Sequence, residues 1–247
     1  MEKTSNPAKP KRVLPKSRIM VNEQTAKCYA DAWAAKEKGE PIAWSTALFP
    51  QEICEVFGIP VLYPENNAAA VAAKHQGDQF IEHAEGTMRY PMNICSYARL
   101  NIAMADKIQD PNFDMTSADP IMPSPDFVLI ANNSCTQLMK WYENLSRNLD
   151  IPLFFVDCLF NYAEEEPSAY KVSYVRSQIE NYISKLEKFL GRKFDWEKFE
   201  EVQKRSIINA KLFDEICDLN MRTPAPLSGF DLFNYMSCMV LCRGKES

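Results

Sequence analysis

Short apolar runs alternate with amphipathic segments along the first two thirds of the chain. Four runs lack any charged residue, at positions 41–44, 59–63, 127–131 and 152–156. Strands that are apolar at consecutive positions are buried on both faces, which is typical of parallel sheets covered by helices. The intervening segments at 23–39, 50–57, 67–84, 94–107 and 136–148 have helical patterns, some with proline or glycine at their ends. The sequence therefore predicts an α/β fold with a parallel sheet.

The pattern changes to helix alone after residue 168. One apolar face of a predicted helix carries Val172, Val175, Ile179, Tyr182, Ile183, Leu186 and Leu190. Gly191 ends this helix, and Asp195 can cap the next one. The segment from Thr223 to Gly229 contains two prolines and reads as a linker.

These patterns divide the chain into four parts. We expect a flexible basic tail at 1–22, a Rossmann-like α/β domain at 23–165, a helical connecting region at 166–226, and the start of a second α/β domain at 227–247. The residues from Phe230 onward are too few to bury a core of their own. We therefore expect the chain to be the N-terminal part of a longer subunit.

Composition and charge exclude several classes of function. The formal net charge is −5, whereas a nucleic-acid-binding surface is basic. No apolar run approaches the roughly 20 residues of a membrane-spanning helix, and the first residues lack the apolar region of a secretory signal. The eight cysteines are scattered through an ordinary composition, so we expect free thiols in a reducing, cytoplasmic compartment. We found no glycine-rich phosphate-binding fingerprint.

Polar or reactive residues follow each predicted strand. Ser45 follows the first strand, Glu65 the second, Cys135 the third and Cys158 the fourth. Ligands bind beyond the carboxyl ends of the strands in open parallel sheets, so these four side chains are candidates for one site. The alternatives are ordinary ones: Ser45 could cap the helix that begins near Pro50, and Glu65 could be solvated.

Two cysteines are predicted at helix starts. Cys135 lies at the start of one predicted helix and Cys95 near the start of another, where the helix dipole favours the thiolate that binds metals. They do not form a CxxC pair, so two packed thiols remain the competing interpretation, with Cys158 a rival ligand. His75 and His83 fall two turns apart on one predicted helix, too far to share a metal.

Several motifs in a fixed order carry a resemblance to a known family. They are Trp44-Ser-Thr-Ala-Leu-Phe-Pro50, Phe57-Gly-Ile-Pro60, Tyr63-Pro-Glu65-Asn66, Cys95-Ser-Tyr-Ala-Arg99, Asn132-Asn-Ser-Cys135 and the segment from Arg222 to Gly229. Together they resemble the larger, catalytic-type subunit of the oxygen-sensitive 2-hydroxyacyl-CoA dehydratases, which are related to benzoyl-CoA reductase. The resemblance covers about residues 20–245.

The resemblance implies a cofactor, site residues and partners. It implies a [4Fe–4S] cluster held by three cysteines with one iron open, where Cys95 and Cys135 match the first two ligands and the third lies beyond Ser247. Ser45 and Glu65 match residues of the substrate pocket, and Thr46 rivals Ser45. The enzyme would be a heterodimer with a second dehydratase subunit. An ATP-dependent iron–sulfur activator protein would supply one electron.

The implied reaction removes water from an (R)-2-hydroxyacyl-CoA to give a 2-enoyl-CoA. One electron on the thioester carbonyl gives a ketyl radical that expels the neighbouring hydroxyl and acidifies the β-proton, and an open iron can act as Lewis acid. Two alternatives remain. One is an acyl-CoA reductase related to benzoyl-CoA reductase, and the other is a non-catalytic α/β binding module with packed thiols. The residues do not name the acyl group, although phenyllactyl-CoA is compatible with the resemblance.

Overall fold

Four strands form one sheet in the order β2-β1-β3-β4, with every neighbouring pair parallel. The computed structural model describes residues 15–161 and 166–245. In it the strands are β1 (Ala43–Ser45), β2 (Val61–Leu62), β3 (Phe127–Ala131) and β4 (Leu153–Val156). The register pairs Ala43 with both Val61 and Phe127. The predicted α/β fold with a parallel sheet is therefore confirmed.

Both faces of the sheet are covered, as the apolar runs predicted. Alternate residues of a strand point to opposite faces, so Phe127 and Leu129 of β3 join one core, and Val128 and Ile130 join the other. The first core includes side chains from α2, α7 and α8, and the second includes side chains from α1, α5 and α6. A central strand buried on both faces explains why no polar residue interrupts 127–131.

Nine α-helices occur in the described part of the chain. They are α1 (Lys16–Glu37), α2 (Glu52–Phe57), α3 (Pro64–Ala73), α4 (Asp78–Glu82), α5 (Ser96–Lys107), α6 (Thr136–Leu149), α7 (Ala169–Leu190), α8 (Trp196–Leu219) and α9 (Gly229–Leu241). Gly191 ends α7 in the left-handed conformation, and the Asp195 side chain caps α8 by accepting from the Lys198 N–H. Both predicted boundaries are confirmed. None of the described helices is long and apolar enough to cross a membrane.

Strand ends differ from the prediction in two places. Ser45 is the last residue of β1 and not a loop residue, and β2 has only two residues instead of five. Proline explains the short strand: Pro60 has no N–H for the sheet, and Pro64 begins α3. Glu65 therefore lies in the first turn of a helix.

The predicted helix over 67–84 is two helices, which corrects the placement of the two histidines. The first of these helices ends just before His75, which adopts a left-handed backbone conformation with a φ of 56°. α4 then leads into a π-helical turn at His83–Thr87. Close packing contributes, because a Cβ at Gly77 would lie 3.0 Å from Leu100 Cδ1 of α5. His75 and His83 do not share a helix, and His83 Nε2 instead lies 2.7 Å from Asp106 Oδ2.

The two ends of the described chain pack together. α1 begins at Lys16, so residues 16–22, predicted as part of a flexible tail, form its first turns; residues 1–14 lie outside the described part. Ser17 Oγ lies 2.6 Å from Tyr235 Oη of α9. A capping box of Ser228 and Asp231 starts α9. The assignment of 227–247 to a second domain stays a prediction.

Candidate functional site

The strand order reverses at β1, which makes this end of the sheet a topological switch point. We call the region beyond the carboxyl ends of β1 and β3 the crevice. β2 lies on one side of β1 and β3 on the other, so the loops after β1 and β3 leave the same sheet edge in opposite directions. Ligands of open α/β sheets bind at this kind of position. Asn133 Nδ2 donates to the Leu48 carbonyl at 3.3 Å and so joins the two loops.

Cys95 and Cys135 occupy matching positions on neighbouring helices. Each is the residue that precedes the first turn, Cys95 for α5 and Cys135 for α6. The Cys95 N–H donates to Gln137 Oε1 at 3.0 Å, which ties the start of α5 to the start of α6. Cys135 is exposed and Cys95 is half-buried. Two thiols thus lie at the same end of two adjacent helices.

Cys158 has a different environment. Its N–H donates to Asn132 Oδ1 at 2.6 Å, and its side chain packs against the core. Burial, and then the neighbouring Asp157 carboxylate, raise the pKa of the Cys158 thiol. A raised pKa opposes formation of the thiolate that a metal would need at Cys158.

Ser45 and Thr46 are both fully buried, and their hydroxyls differ. Ser45 Oγ donates to the Thr46 carbonyl at 3.1 Å. Thr46 Oγ1 has no hydrogen-bond partner among the described residues. The helix start after Pro50 has no side-chain cap, so Ser45 does not cap α2. Of the two rivals, Thr46 has the hydroxyl that is available to another group.

Glu65 is held inside the crevice and is not a solvated residue. Its Oε1 accepts from the Ala47 N–H at 3.2 Å, and its Oε2 lies 2.9 Å from Tyr142 Oη. Burial raises the pKa of the Glu65 carboxyl, partly offset by hydrogen bonds that lower it. The first turn of α3 and the loop after β1 therefore meet at this side chain.

Tyr142 links Glu65 to β1, and sequence reasoning missed it. The Tyr142 hydroxyl lies 2.7 Å from the Ser45 carbonyl as well as 2.9 Å from Glu65. A hydroxyl has one proton and a carbonyl oxygen can only accept. Both bonds form at once only if Glu65 is protonated and donates to Tyr142. The sequence did contain a signal for this role. Tyr142 lies on the apolar face of a predicted helix, and a buried phenol needs a hydrogen-bond partner.

Cys95 and Cys135 are fewer than the three thiolates that the expected cluster would need. No group of three or more His, Cys, Asp or Glu side chains within residues 15–161 and 166–245 is arranged to hold a metal ion. A pair of thiols at adjacent helix starts, one of them exposed, fits an incomplete ligand set better than a closed structural site.

The family model described as "2-hydroxyglutaryl-CoA dehydratase, D-component" matches residues 46–247. The chain belongs to this family. The match begins at Thr46, directly after the last residue of β1, and includes Glu65, Cys95, Cys135 and Tyr142, so most of the crevice lies within the region shared with this dehydratase family. The resemblance drawn from the sequence motifs is confirmed.

Characterised relatives of this dehydratase family are similar over most of the chain. The sequence is 45% identical to the (R)-2-hydroxyisocaproyl-CoA dehydratase alpha subunit of Clostridioides difficile, over 93% of this chain and 54% of the relative. It is 42% identical to the (R)-phenyllactyl-CoA dehydratase alpha subunit of Clostridium sporogenes, over 94% and 54%. It is 38% identical to the lactoyl-CoA dehydratase subunit alpha of Anaerotignum propionicum, over 87% and 52%. The chain spans about half the length of these relatives.

Proposed function

We propose that this chain forms part of a hydro-lyase subunit that removes water from an (R)-2-hydroxyacyl-CoA to give a 2-enoyl-CoA. The observation that carries the proposal is membership of the dehydratase family, with Thr46, Glu65, Cys95 and Cys135 inside the matched region. Three similar relatives are named for different acyl groups, hydroxyisocaproyl, phenyllactyl and lactoyl, and all are dehydratases. The shared part is the 2-hydroxyacyl thioester, so the proposal is limited to that substrate class.

Cys95 and Cys135 are proposed as two of three ligands of a [4Fe–4S] cluster. Their positions at adjacent helix starts support this, because the N–H groups and the dipole at a helix N-terminus attract a bound anionic group. The third thiolate would come from another part of the subunit. When bound, such a cluster supplies electron transfer and an iron with an open position for Lewis-acid chemistry.

Glu65 is proposed as the proton carrier of the reaction. Burial raises the pKa of the Glu65 carboxyl and so favours the neutral acid, which can give its proton to the hydroxyl that leaves the substrate, so that water departs. The carboxylate that remains is stabilised by the Ala47 N–H and by Tyr142, whose hydroxyl can turn from the Ser45 carbonyl to Glu65. That carboxylate can then accept the β-proton. The hydroxyl of Thr46 or Ser45 would orient the departing oxygen.

Partners follow from the names of the relatives. Those relatives are called alpha subunits, so we propose a second dehydratase subunit. We also propose that an ATP-dependent iron–sulfur activator injects the electron that turns the thioester into a ketyl radical. That electron would be needed because the β-proton of a saturated thioester is too weakly acidic for Glu65 to remove.

Single cysteine substitutions test the ligand assignment. In the full-length subunit, purified anaerobically with its partner, Cys95→Ala and Cys135→Ala should each lose most of the bound iron and nearly all turnover. Cys217→Ala is the matched control, since Cys217 is an exposed free thiol on α8 and should keep normal iron. Iron and sulfide are measured chemically. Normal iron content in Cys135→Ala would contradict the assignment, and iron loss in Cys158→Ala would support the rival.

Glu65→Gln tests the proton role. The amide is nearly isosteric and can still accept from the Ala47 N–H, but it cannot transfer a proton. We expect iron content to stay normal and turnover to fall by about 10²-fold or more. The mass of the product formed by the wild-type enzyme distinguishes the two candidate reactions. Loss of one water from the substrate indicates a dehydratase, and gain of two hydrogens indicates a reductase. Near-normal turnover in Glu65→Gln would remove Glu65 from the mechanism.

A further inference from the structure

Three thiols meet between the first and last described helices, away from the crevice. Cys28 lies on α1, Cys238 on α9, and Cys242 is the residue that ends α9. Cys28 Sγ lies 3.8 Å from the carbonyl oxygen of Leu241, the residue before Cys242, and Cys238 lies one helical turn before Cys242. Lys245 Nζ also donates to Cys28 Sγ at 3.5 Å. The proposed dehydratase mechanism uses none of these residues.

The three thiols differ in their chemistry. Cys28 is buried, and hydrogen bonding with Cys242 together with burial raises the pKa of its thiol. Cys238 is half-buried, and hydrogen bonding from Cys242 lowers the pKa of its thiol to about 7, although burial acts in the opposite direction. A thiolate is the form that reacts with electrophiles and peroxides. Cys238 is thus suited to attack, and Cys28 is not.

Cys242 is placed to respond to a modified Cys238. The two residues lie one helical turn apart, where Cβ atoms are roughly 5–6 Å from each other, whereas a disulfide needs about 3.5–4.5 Å. Cys242 follows the last residue of α9, with φ −113° and ψ 5°, and its N–H donates to the Cys238 carbonyl at 3.0 Å. A disulfide would therefore have to distort this last helical bond but would leave the earlier turns of α9 in place.

We propose that Cys238 and Cys242 form a thiol modification site that reacts with peroxides, with Cys238 as the attacking thiol and Cys242 as the resolving thiol. The Cys238 thiolate attacks one peroxide oxygen, the O–O bond breaks, and the hydroxide takes a proton and leaves as water. Cys242 sulfur then attacks the sulfur of the Cys238 sulfenic acid. The S–O bond breaks, a second water leaves with the Cys242 proton, and an S–S bond forms. Two thiols lose two electrons and the peroxide gains them.

Peptide mapping of the purified chain tests the proposal. After treatment with equimolar hydrogen peroxide, alkylation and trypsin digestion, residues 223–243 should appear as one peptide that is two hydrogens lighter, since it contains both cysteines and no internal Lys or Arg. A disulfide with Cys28 would instead join this peptide to residues 28–36. That product would overturn the pairing.

Variants separate the two roles. With Cys242→Ser, the disulfide should disappear and dimedone should trap a sulfenic acid at Cys238. With Cys217→Ser, which removes an exposed thiol outside the cluster, the disulfide should form as before. Cys242→Ala repeats the first arm with a smaller side chain, and thermal unfolding shows that each variant is folded.

Without oxidant, iodoacetamide at pH 7 should label Cys238 about fivefold faster than Cys217. Slower labelling of Cys238, or no dimedone adduct in Cys242→Ser, would overturn the proposal.

Discussion

At the scale of single residues, Tyr142 is the side chain on which the crevice depends. It is fully buried, and its hydroxyl is within hydrogen-bond distance of one carboxyl and one backbone carbonyl. Unsatisfied polar groups in such a place are costly. Removing this one oxygen therefore leaves the Ser45 carbonyl and the Glu65 carboxyl with fewer partners, and both changes lower stability.

Tyr142→Phe should lower the free energy of unfolding by about 1–3 kcal/mol, because the buried Ser45 carbonyl loses its side-chain donor and the Glu65 carboxyl loses a hydrogen-bond partner. The matched control is Tyr90→Phe, which removes a half-buried hydroxyl that donates to Asn144 Oδ1 at 3.1 Å. That change should cost about 0.5–1 kcal/mol. Urea unfolding measures both variants. An equal cost for the two variants would contradict the network at Glu65.

Glu65 also predicts a pH dependence of stability. Its folded-state pKa is raised above the ordinary value of 4.5. As pH rises through this window, the unfolded chain releases the proton first, so stability falls from about pH 4.5 until the folded pKa is passed. Each unit of the shift corresponds to about 1.4 kcal/mol.

Glu65→Gln removes this titration. The melting temperature of the Gln variant should therefore rise relative to wild type as pH increases from 4 to 8, with little relative change below pH 4. Thermal unfolding monitored by circular dichroism across that range measures it. A difference that shrinks with rising pH would mean that the folded pKa of Glu65 is lowered.

At the scale of elements, backbone conformation at helix ends decides where the connections turn. Gly58 ends α2 with φ 70° and leads the chain into β2. Gly86 lies in the π-helical turn at His83–Thr87, without a positive φ. A Cβ at either glycine would meet no atom within 4 Å. The two positions therefore differ in backbone strain and not in available space.

Alanine substitutions at these glycines should have opposite effects. Gly58→Ala should destabilise the protein by about 1–2 kcal/mol, because L-residues disfavour the left-handed region. Gly86→Ala should be neutral or stabilise by up to about 1 kcal/mol, because alanine reduces the entropy of the unfolded chain. Urea unfolding of both variants checks this. The same sign of effect at both positions would contradict the backbone explanation.

At the scale of the whole molecule, the sequence predicted the strands and helices whose positions depend on the burial of apolar side chains. The runs at 127–131 and 152–156 are strands because apolar side chains on both faces fit only a covered parallel sheet. The helix starts at Cys95 and Cys135 were also correct. Other features depend on contacts between distant positions. Close packing of Gly77 on Leu100 contributes to the break near His75, and the Glu65–Tyr142 bond joins two helices that no local pattern connects.

The order of the strands has a consequence for synthesis. β1 needs neighbours on both sides, and its register joins residue 43 to residue 127. Ribosomes add about 5–20 residues per second, so β1 and β2 wait several seconds before β3 leaves the ribosome. During that interval Trp44 and Leu62, which are fully buried in the finished fold, have no complete core to enter. The N-terminal half of this fold therefore stays incompletely packed until the strand that shares its centre has been made.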